Sequence, residues 1–462
     1  MSINHGTHEV LISNLRNGYY QMTDSEYEAM YNYCEKYKVF LNNSRTERAC
    51  VVNGLTLAQS AGFEQYQAGM KLSAGKKIYV NNRGKFLMLA KIGTRPLSDG
   101  VNIVASHIDS PRLDLKPYPL YEEADMAYFK THYYGMVRKY QWVATPLMLQ
   151  GVVVLKDGTV VDITLGEDNE AKFVITDLLP HLSREHDQLP LSEAHPAESM
   201  NILIGSRPVN IGDSNSRVKL HIMSLLNTKY GITEEDLTSA EIEAVPAYPV
   251  TDVGIDLSLI GGYGHDDKVC GYAALQGLID CGDPEKTSIC ILTDKEEVLN
   301  NGVTGMRGAA FDHFMQDLCE AQGSSLRKCY QNSFCLSADV TSAYDPNFAD
   351  SFDIRNSAHI NRGIAICKYT GVKGKESASD ACAELIAYAR RIFEQNNVIW
   401  QMGEMGRIDL GGGGTISLEM ANRNIDTLDA GVPVLSMHSP FETVAKLDCY
   451  MTYKACMAVY NS

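Results

Sequence analysis

No apolar run in the sequence comes close to the ~20 residues that a membrane-spanning helix needs; the best, residues 147–155, is broken by Gln150 and Gly151. An excess of positive charge is also missing. Lys and Arg number 41 against 57 Asp and Glu, a formal net charge of −16, and no basic stripe gathers anywhere. A chain this acidic repels a phosphate backbone, which excludes nucleic acid as an expected partner. The first twenty residues hold no basic segment followed by an apolar one, so no secretory leader is expected. Cys-x-x-Cys does not occur. The 12 cysteines are scattered over residues 34–50 and 270–456, a pattern that fits reduced, buried thiols in a cytoplasmic protein better than a disulfide framework. Solenoid repeats and low-complexity segments are absent as well.

What remains is ordinary globular composition, 45% apolar and 21% charged. At 462 residues the chain exceeds the size at which one core stops growing, so two or three domains are expected. Thr23-x-x-Glu26 is a capping box that opens a first helix, its apolar face formed by Tyr27, Met30, Tyr31, Cys34 and Tyr37. Residues 86–92 and 101–106 have the length and composition of buried strands. From about 116 to 250 the text changes: cysteine disappears, and residues 149–155 and 159–165 flank Asp157-Gly158 as a hairpin. Residues 172–175 and 201–204 read as further strands, and 215–230 as a helix stopped by Gly231. After residue 250 strands and helices alternate again, with strands at 287–292 and 334–337 and a helix over 379–395. Ser439, Pro440 and Glu442 predict the start of the last helix. The expected architecture is an α/β fold, a largely parallel sheet flanked by helices, formed by residues 1–115 and 251–462 and interrupted by a strand-rich insertion over 116–250.

The carboxylates and histidines fall where that architecture would use them. The expected strand 101–106 runs into His107-Ile108-Asp109, and 287–292 into Asp294-Lys295-Glu296-Glu297. Likewise 334–337 runs into Asp339 and 431–435 into His438, while Gly264-His265-Asp266-Asp267 opens a helix. Open α/β sheets place their ligand crevice at the carboxyl edge of the strands. Each residue alone has an ordinary explanation: a turn-forming Asp, a half-buried His, a solvated Glu pair. Together, several carboxylates in one crevice would repel one another unless cations neutralised them. Two histidines with three or four carboxylates suit zinc, manganese or cobalt rather than calcium. Ser110, Cys270 and Ser439 have no evident base of their own and are not expected to act as nucleophiles.

The segments HIDSPRLDLKP, GHDDKVCGYAAL, TDKEEV, LSADV and VLSMHSP, in this order over residues 107–438, resemble the aspartyl aminopeptidase family of two-metal cytosolic aminopeptidases. The resemblance implies a zinc-aminopeptidase-like fold and two divalent ions, zinc or else manganese or cobalt. It implies His107, Asp266, Glu297, Asp339 and His438 as metal ligands, with Asp266 shared, Asp109 orienting His107 and Glu296 as general base. Asp267 would lie behind the ligands. The family also uses a histidine lent by the insertion of a neighbouring subunit; here His181 or His186 could fill that role. Lys368 matches the lysine that faces an acidic substrate side chain. Where the family has an Arg-Tyr pair, this chain has Lys373-Gly374-Lys375-Glu376-Ser377, so an Asp/Glu preference would rest on Lys368. Gly411–Thr415 resembles the family's glycine loop beside the metals; it completes neither phosphate-binding pattern.

The expected function is therefore removal of N-terminal residues from peptides by a homo-oligomer, a dodecamer on the resemblance. Two rivals remain at this point: a same-fold amidohydrolase or carboxypeptidase, and a catalytically silent assembly or cargo protein. A blocked substrate amine would separate the first, and the intact Glu296 argues against the second.

Overall fold

In the computed structural model, which describes residues 15–210 and 216–462, three sheets organise the chain. The nine-stranded sheet runs in the order Glu64–Gln65, Lys77–Asn82, Phe86–Lys91, Ser288–Thr293, Asn102–His107, Phe334–Ser337, Asp426–Gly431, Ile364–Cys367, Trp400–Met402. Its middle, from Ser288–Thr293 to Asp426–Gly431, is parallel; antiparallel pairs adjoin it on either side. Both faces are covered, which is why these strands read as continuous apolar runs. Leu87, Leu89, Val104, Cys290, Leu292 and Leu336 point to one core, and Phe86, Met88, Ile103, Ala105, Ile289 and Ile291 to the other. The first core is closed by helices Asp24–Asn43, Glu47–Ser60, His265–Asp280, Ala383–Gln395 and Lys446–Tyr460, the second by Ala310–Ala321 and Leu326–Gln331.

Between Arg112 and Pro246 the chain builds an antiparallel six-stranded sheet in the order Val160–Leu165, Leu147–Val154, Ala240–Pro246, Arg112–Glu123, Met126–Tyr134, Ile202–Gly205. It has its own core around Trp142, Leu147, Leu149 and Ile242, packed under helix Arg217–Tyr230, which ends at the left-handed Gly231. Asn215, the expected start of that helix, lies outside the described residues, as do the first fourteen residues on which the leader reading draws.

The third sheet has no counterpart in the sequence reading. It joins Thr251–Val253, Leu259–Gly262, Glu442–Ala445, Pro433–Leu435 and Thr341–Ser342. The segment 431–435 is therefore not a strand of the main sheet: Asp426–Gly431 fills that place, and Pro433–Leu435 belongs to the small sheet. The last helix begins at Lys446 rather than near Ser439, because Glu442 is drawn into a strand and its carboxylate is used elsewhere. The capping box at Thr23 and Glu26 is present with both hydrogen bonds, although Tyr27 stays exposed. Residues 172–175 make only isolated bridges, and the helix expected from 379 begins at Ala383. All 12 cysteines are free, and only Cys382 is exposed.

Candidate metal centre and active site

The chemistry-bearing residues sit just past strand ends. His107 closes Asn102–His107, with Asp109 behind it; Glu296 and Glu297 follow Ser288–Thr293, and Asp339 follows Phe334–Ser337. These strands are parallel neighbours, so their carboxyl ends open on one crevice. The opposite wall comes from the small sheet. Leu259–Gly262 delivers Asp266 at the start of helix His265–Asp280, through a cis Asp266–Asp267 peptide, and Pro433–Leu435 delivers His438.

His107 Nδ1 lies 3.1 Å from the Asp109 carbonyl oxygen and 3.3 Å from its Oδ1. That places a ring hydrogen on Nδ1 and turns Nε2 into the crevice. Nε2 is 3.2 Å from Asp266 Oδ1 and 3.8 Å from both Glu296 Oε2 and Asp339 Oδ1. The other oxygen of Asp266, Oδ2, is 2.9 Å from His438 Nε2, which stands 3.5 Å from Glu297 Oε1. Asp266 thus presents one oxygen to each histidine. His107, Asp109 and Asp266 are buried, whereas the His438 side chain is 27% exposed at the mouth.

Crowding marks the electrostatics. Burial pushes Glu296 up to about 8, with Glu297 and Asp109 adding to it and His107 opposing. Burial and Asp266 push Glu297 up to about 8 against His438. Asp339 is raised well above the carboxylate range by burial and by Glu296 and Asp266. Against the cost of burial, Glu297 and Asp266 hold His438 up at about 10. Asp266 and Asp109 are lowered instead: the hydrogen bonds of the two histidines overcome the burial of Asp266, and those of His107 and Tyr134 overcome the burial of Asp109. Divalent cations would remove the mutual repulsion and bring the carboxylates back down. The donor set fits them. The ligand atoms of Asp266, Glu297 and His438 lie within 4.8 Å of one another, as do those of His107, Glu296 and Glu297, and Glu297 Oε1 is buried with no hydrogen-bond partner. Asp267 groups with His107 and Asp339 in the same way, but its Oδ2 already accepts from the His107 backbone N–H at 3.3 Å.

Two supporting residues escaped the sequence reading. Tyr134, at the end of strand Met126–Tyr134, donates its hydroxyl to Asp109 Oδ2 at 2.6 Å. Glu442 accepts from the backbone N–H of His438 at 2.7 Å and of Asp266 at 3.1 Å, fixing the two segments that carry the second donor group. Ser110 Oγ accepts from Lys268 Nζ at 2.6 Å, a donor rather than a base. Ser110 Oγ in turn donates to the Asp266 carbonyl at 2.6 Å, and both side chains are buried, so the pair braces the Asp266 turn.

A cavity of about 330 Å³ opens over the crevice. Besides the acids and histidines it is lined by Met136, Leu299, Val340, Cys367, Tyr369 and Met437, and by Gly412–Thr415. Gly412, at φ 128°, passes so close to the Gly371 carbonyl that an added Cβ would lie 2.0 Å from its oxygen. Lys368 does not line this cavity. Cys367 and Tyr369 do, whereas Lys368, at the bend that follows the strand Ile364–Cys367, is exposed. His181 is exposed on the inserted sheet's long loop, outside the cavity; His186 is half-buried, with Nε2 2.5 Å from the Ala194 carbonyl oxygen.

The family described as aminopeptidase I zinc metalloprotease (M18) matches residues 40–460. The chain belongs to the M18 aminopeptidases. It is 42% identical over 461 residues to a probable M18 family aminopeptidase 1 of Clostridium acetobutylicum, covering 98% of this chain and 99% of that one. The crystal structure of an M18 aminopeptidase from Thermotoga maritima superposes with a TM-score of 0.93 at 37% identity, covering 97% of this chain and all of that one. The mApe1 dodecamer of S. cerevisiae shares the fold, with a TM-score of 0.74 at 20% identity over 92% of this chain and 95% of that one. This M18 aminopeptidase is thus a metal-dependent hydrolase that acts on the N-terminal end of peptides. Among its described residues no helix is long and apolar enough to cross a membrane.

Proposed function

We propose that this M18 aminopeptidase works with two divalent ions and releases apolar N-terminal residues. The observation that carries the reading is Asp266, whose two oxygens face His107 at 3.2 Å and His438 at 2.9 Å. One ion would be held by His107, Asp339 and Asp266, the other by Asp266, Glu297 and His438. Zinc is the proposed ion, and manganese or cobalt would suit the same donors. Such ions, when bound, polarise the scissile carbonyl and acidify water at neutral pH. Glu296, on the crevice wall, takes the proton of the attacking water on a carboxylate oxygen and returns it to the leaving amine nitrogen. Asp109 keeps His107 in the tautomer that turns Nε2 inward.

The side-chain preference follows from the lining. Met136, Leu299, Val340, Cys367 and Met437 are apolar, and no Lys or Arg lines the cavity among the described residues. An acidic preference resting on Lys368 therefore finds little support. The test is a panel of peptides beginning with Leu, Met, Asp, Glu or Lys, or blocked by N-acetylation, with Glu296→Gln as control. Leu and Met peptides should turn over fastest and the blocked peptide not at all, and Glu296→Gln should lose about 10²–10⁴-fold in kcat. Faster cleavage of Asp and Glu peptides would refute the apolar preference.

We also propose that the chain is a homo-oligomer, a dodecamer, assembled through the insertion at 116–250. Leu178, Leu179, Leu182, Leu189 and Leu191 are all exposed around His181, Leu182 at 67%. Such a cluster marks a contact surface. With His186 engaged by its own loop, His181 is the histidine left to reach a neighbouring subunit's cavity. The eleven buried free thiols suit a reducing, cytoplasmic setting.

A further inference from the structure

The metal centre is built by the main and small sheets, yet one of its walls belongs to the inserted sheet. Strand Met126–Tyr134 ends beside the crevice, and its last residue and the next two each touch the site. Tyr134 donates to Asp109. Gly135, at φ 71°, lies so near Glu297 that an added Cβ would stand 3.1 Å from its Oε2. Met136 lines the cavity.

Asp109 is the hub of this contact. Its Oδ1 receives the Glu296 backbone N–H at 3.2 Å and faces His107 Nδ1 at 3.3 Å. Its Oδ2 receives the Glu297 backbone N–H at 3.2 Å and the Tyr134 hydroxyl at 2.6 Å. One buried carboxylate therefore ties together the histidine, both glutamates and the inserted sheet, and the tyrosine bond is the shortest of the four. Tyr134 is itself clamped. The Arg112 guanidinium carbon stands 3.9 Å over its ring centroid, and Lys295 Nζ, on the residue before Glu296, is 5.4 Å from it. Cations at such distances are attracted by the ring face. Arg112 is fixed in turn at 3.3 Å from Glu47 Oε2, on the helix Glu47–Ser60, and at 3.3 Å from Glu243 Oε2 on the inserted sheet.

We propose that Tyr134 is a positioning residue for catalysis: held by Arg112, it locks Asp109, and through Asp109 it sets His107, Glu296 and Glu297 at once. It reaches the reacting atoms only through Asp109, so its effect falls on turnover and metal retention rather than on substrate affinity. The inference rests on the ligand and base assignments proposed above.

The test is Tyr134→Phe, which keeps the ring under Arg112 and removes only the hydroxyl. Three readings are taken on the full chain: kcat and KM on a Leu peptide, zinc retention against a competing chelator, and the unfolding midpoint with the sedimentation profile. Loss of a group that orients a metal ligand weakens metal affinity about 10–100-fold. A tenfold or greater drop in kcat is expected, with KM within twofold and midpoint and assembly as in the wild type. Wild-type zinc retention and kcat in Tyr134→Phe would overturn the proposal. So would a kcat loss matched by loss of midpoint or assembly, which is a structural effect. Arg112→Lys keeps the charge but not the flat stack, and carries the test if Tyr134→Phe does not fold; it should weaken zinc retention at least threefold, and an unchanged value overturns the proposal. If zinc-loaded wild type fails to cleave the peptide, the functional reading falls, while zinc retention still judges Tyr134.

Discussion

At the scale of the residue, the centre is a set of carboxylates that cannot all be charged without help. Glu296 and Glu297 each stand near 8, where an ordinary glutamate lies at 4.5. A carboxyl whose folded pKa is raised binds its proton more tightly folded than unfolded, so stability is lost as pH rises through the window from 4.5 to 8. Metal-free protein should therefore melt at a lower temperature at pH 9 than at pH 6, while zinc-loaded protein, its carboxylates neutralised by the ion, should vary much less. Scanning calorimetry with and without chelator checks this; equal slopes would mean that the ions do not sit among these acids. His107, Asp266, Glu296, Glu297, Asp339 and His438 were legible in the sequence because each closes or follows a recognisable strand or turn. Tyr134 and Glu442 were not. Their importance lies in one hydrogen bond to Asp109 and in two from the Asp266 and His438 amides, made between segments that are remote in sequence. Lys368 is exposed at a bend while its neighbours Cys367 and Tyr369 line the cavity, a local turn that the motif does not disclose.

Among elements, what the sequence showed most clearly were the strands buried on both faces, such as 86–91 and 102–107, and the helix opened by Thr23. Asp426–Gly431 was hidden because Asp426 and Asp429 interrupt its apolar character. From Thr427 to Gly431 it is buried nevertheless, and Asp429 accepts from Thr415 Oγ1 at 2.8 Å. The Ser439-Pro440-x-Glu442 signal failed because a local capping box lost to tertiary demand for the Glu442 carboxylate. The seam between the inserted and central sheets rests on buried charge. Against the cost of full burial, Arg112 and Lys85 hold Glu47 far below the usual carboxylate range, Lys85 Nζ at 3.0 Å and Arg112 Nη1 at 3.3 Å. Glu243, on the same guanidinium, is pushed the other way by burial and by Glu47. Removing one partner of such a pair leaves the others uncompensated and costs about 3–5 kcal/mol. Glu47→Gln should lower the melting temperature clearly at pH 7. Because Glu47 is depressed, its contribution is present above 4.5 and fades as pH falls below that value, so the gap between variant and wild type should narrow at pH 4. A gap that stays constant would show that the carboxylate's charge is not what holds the seam.

For the whole molecule, the question is whether one chain makes a complete active site. His181 is exposed and lies outside the cavity of its own chain, amid leucines that face solvent. A homo-oligomer could bring it into a neighbour's site. His181→Ala and Glu296→Gln should each be nearly inactive as pure assemblies. Mixed, they carry complementary defects: a site with Glu296 from a His181→Ala subunit and His181 from a Glu296→Gln neighbour is whole. If each site borrows one histidine from one neighbour and subunits mix at random in equal numbers, about a quarter of the sites are restored. Peptidase activity near that fraction of wild type, in assemblies shown by two affinity tags to contain both variants, is the expected result. Mixed assemblies that stay inactive would mean that His181 serves no neighbour.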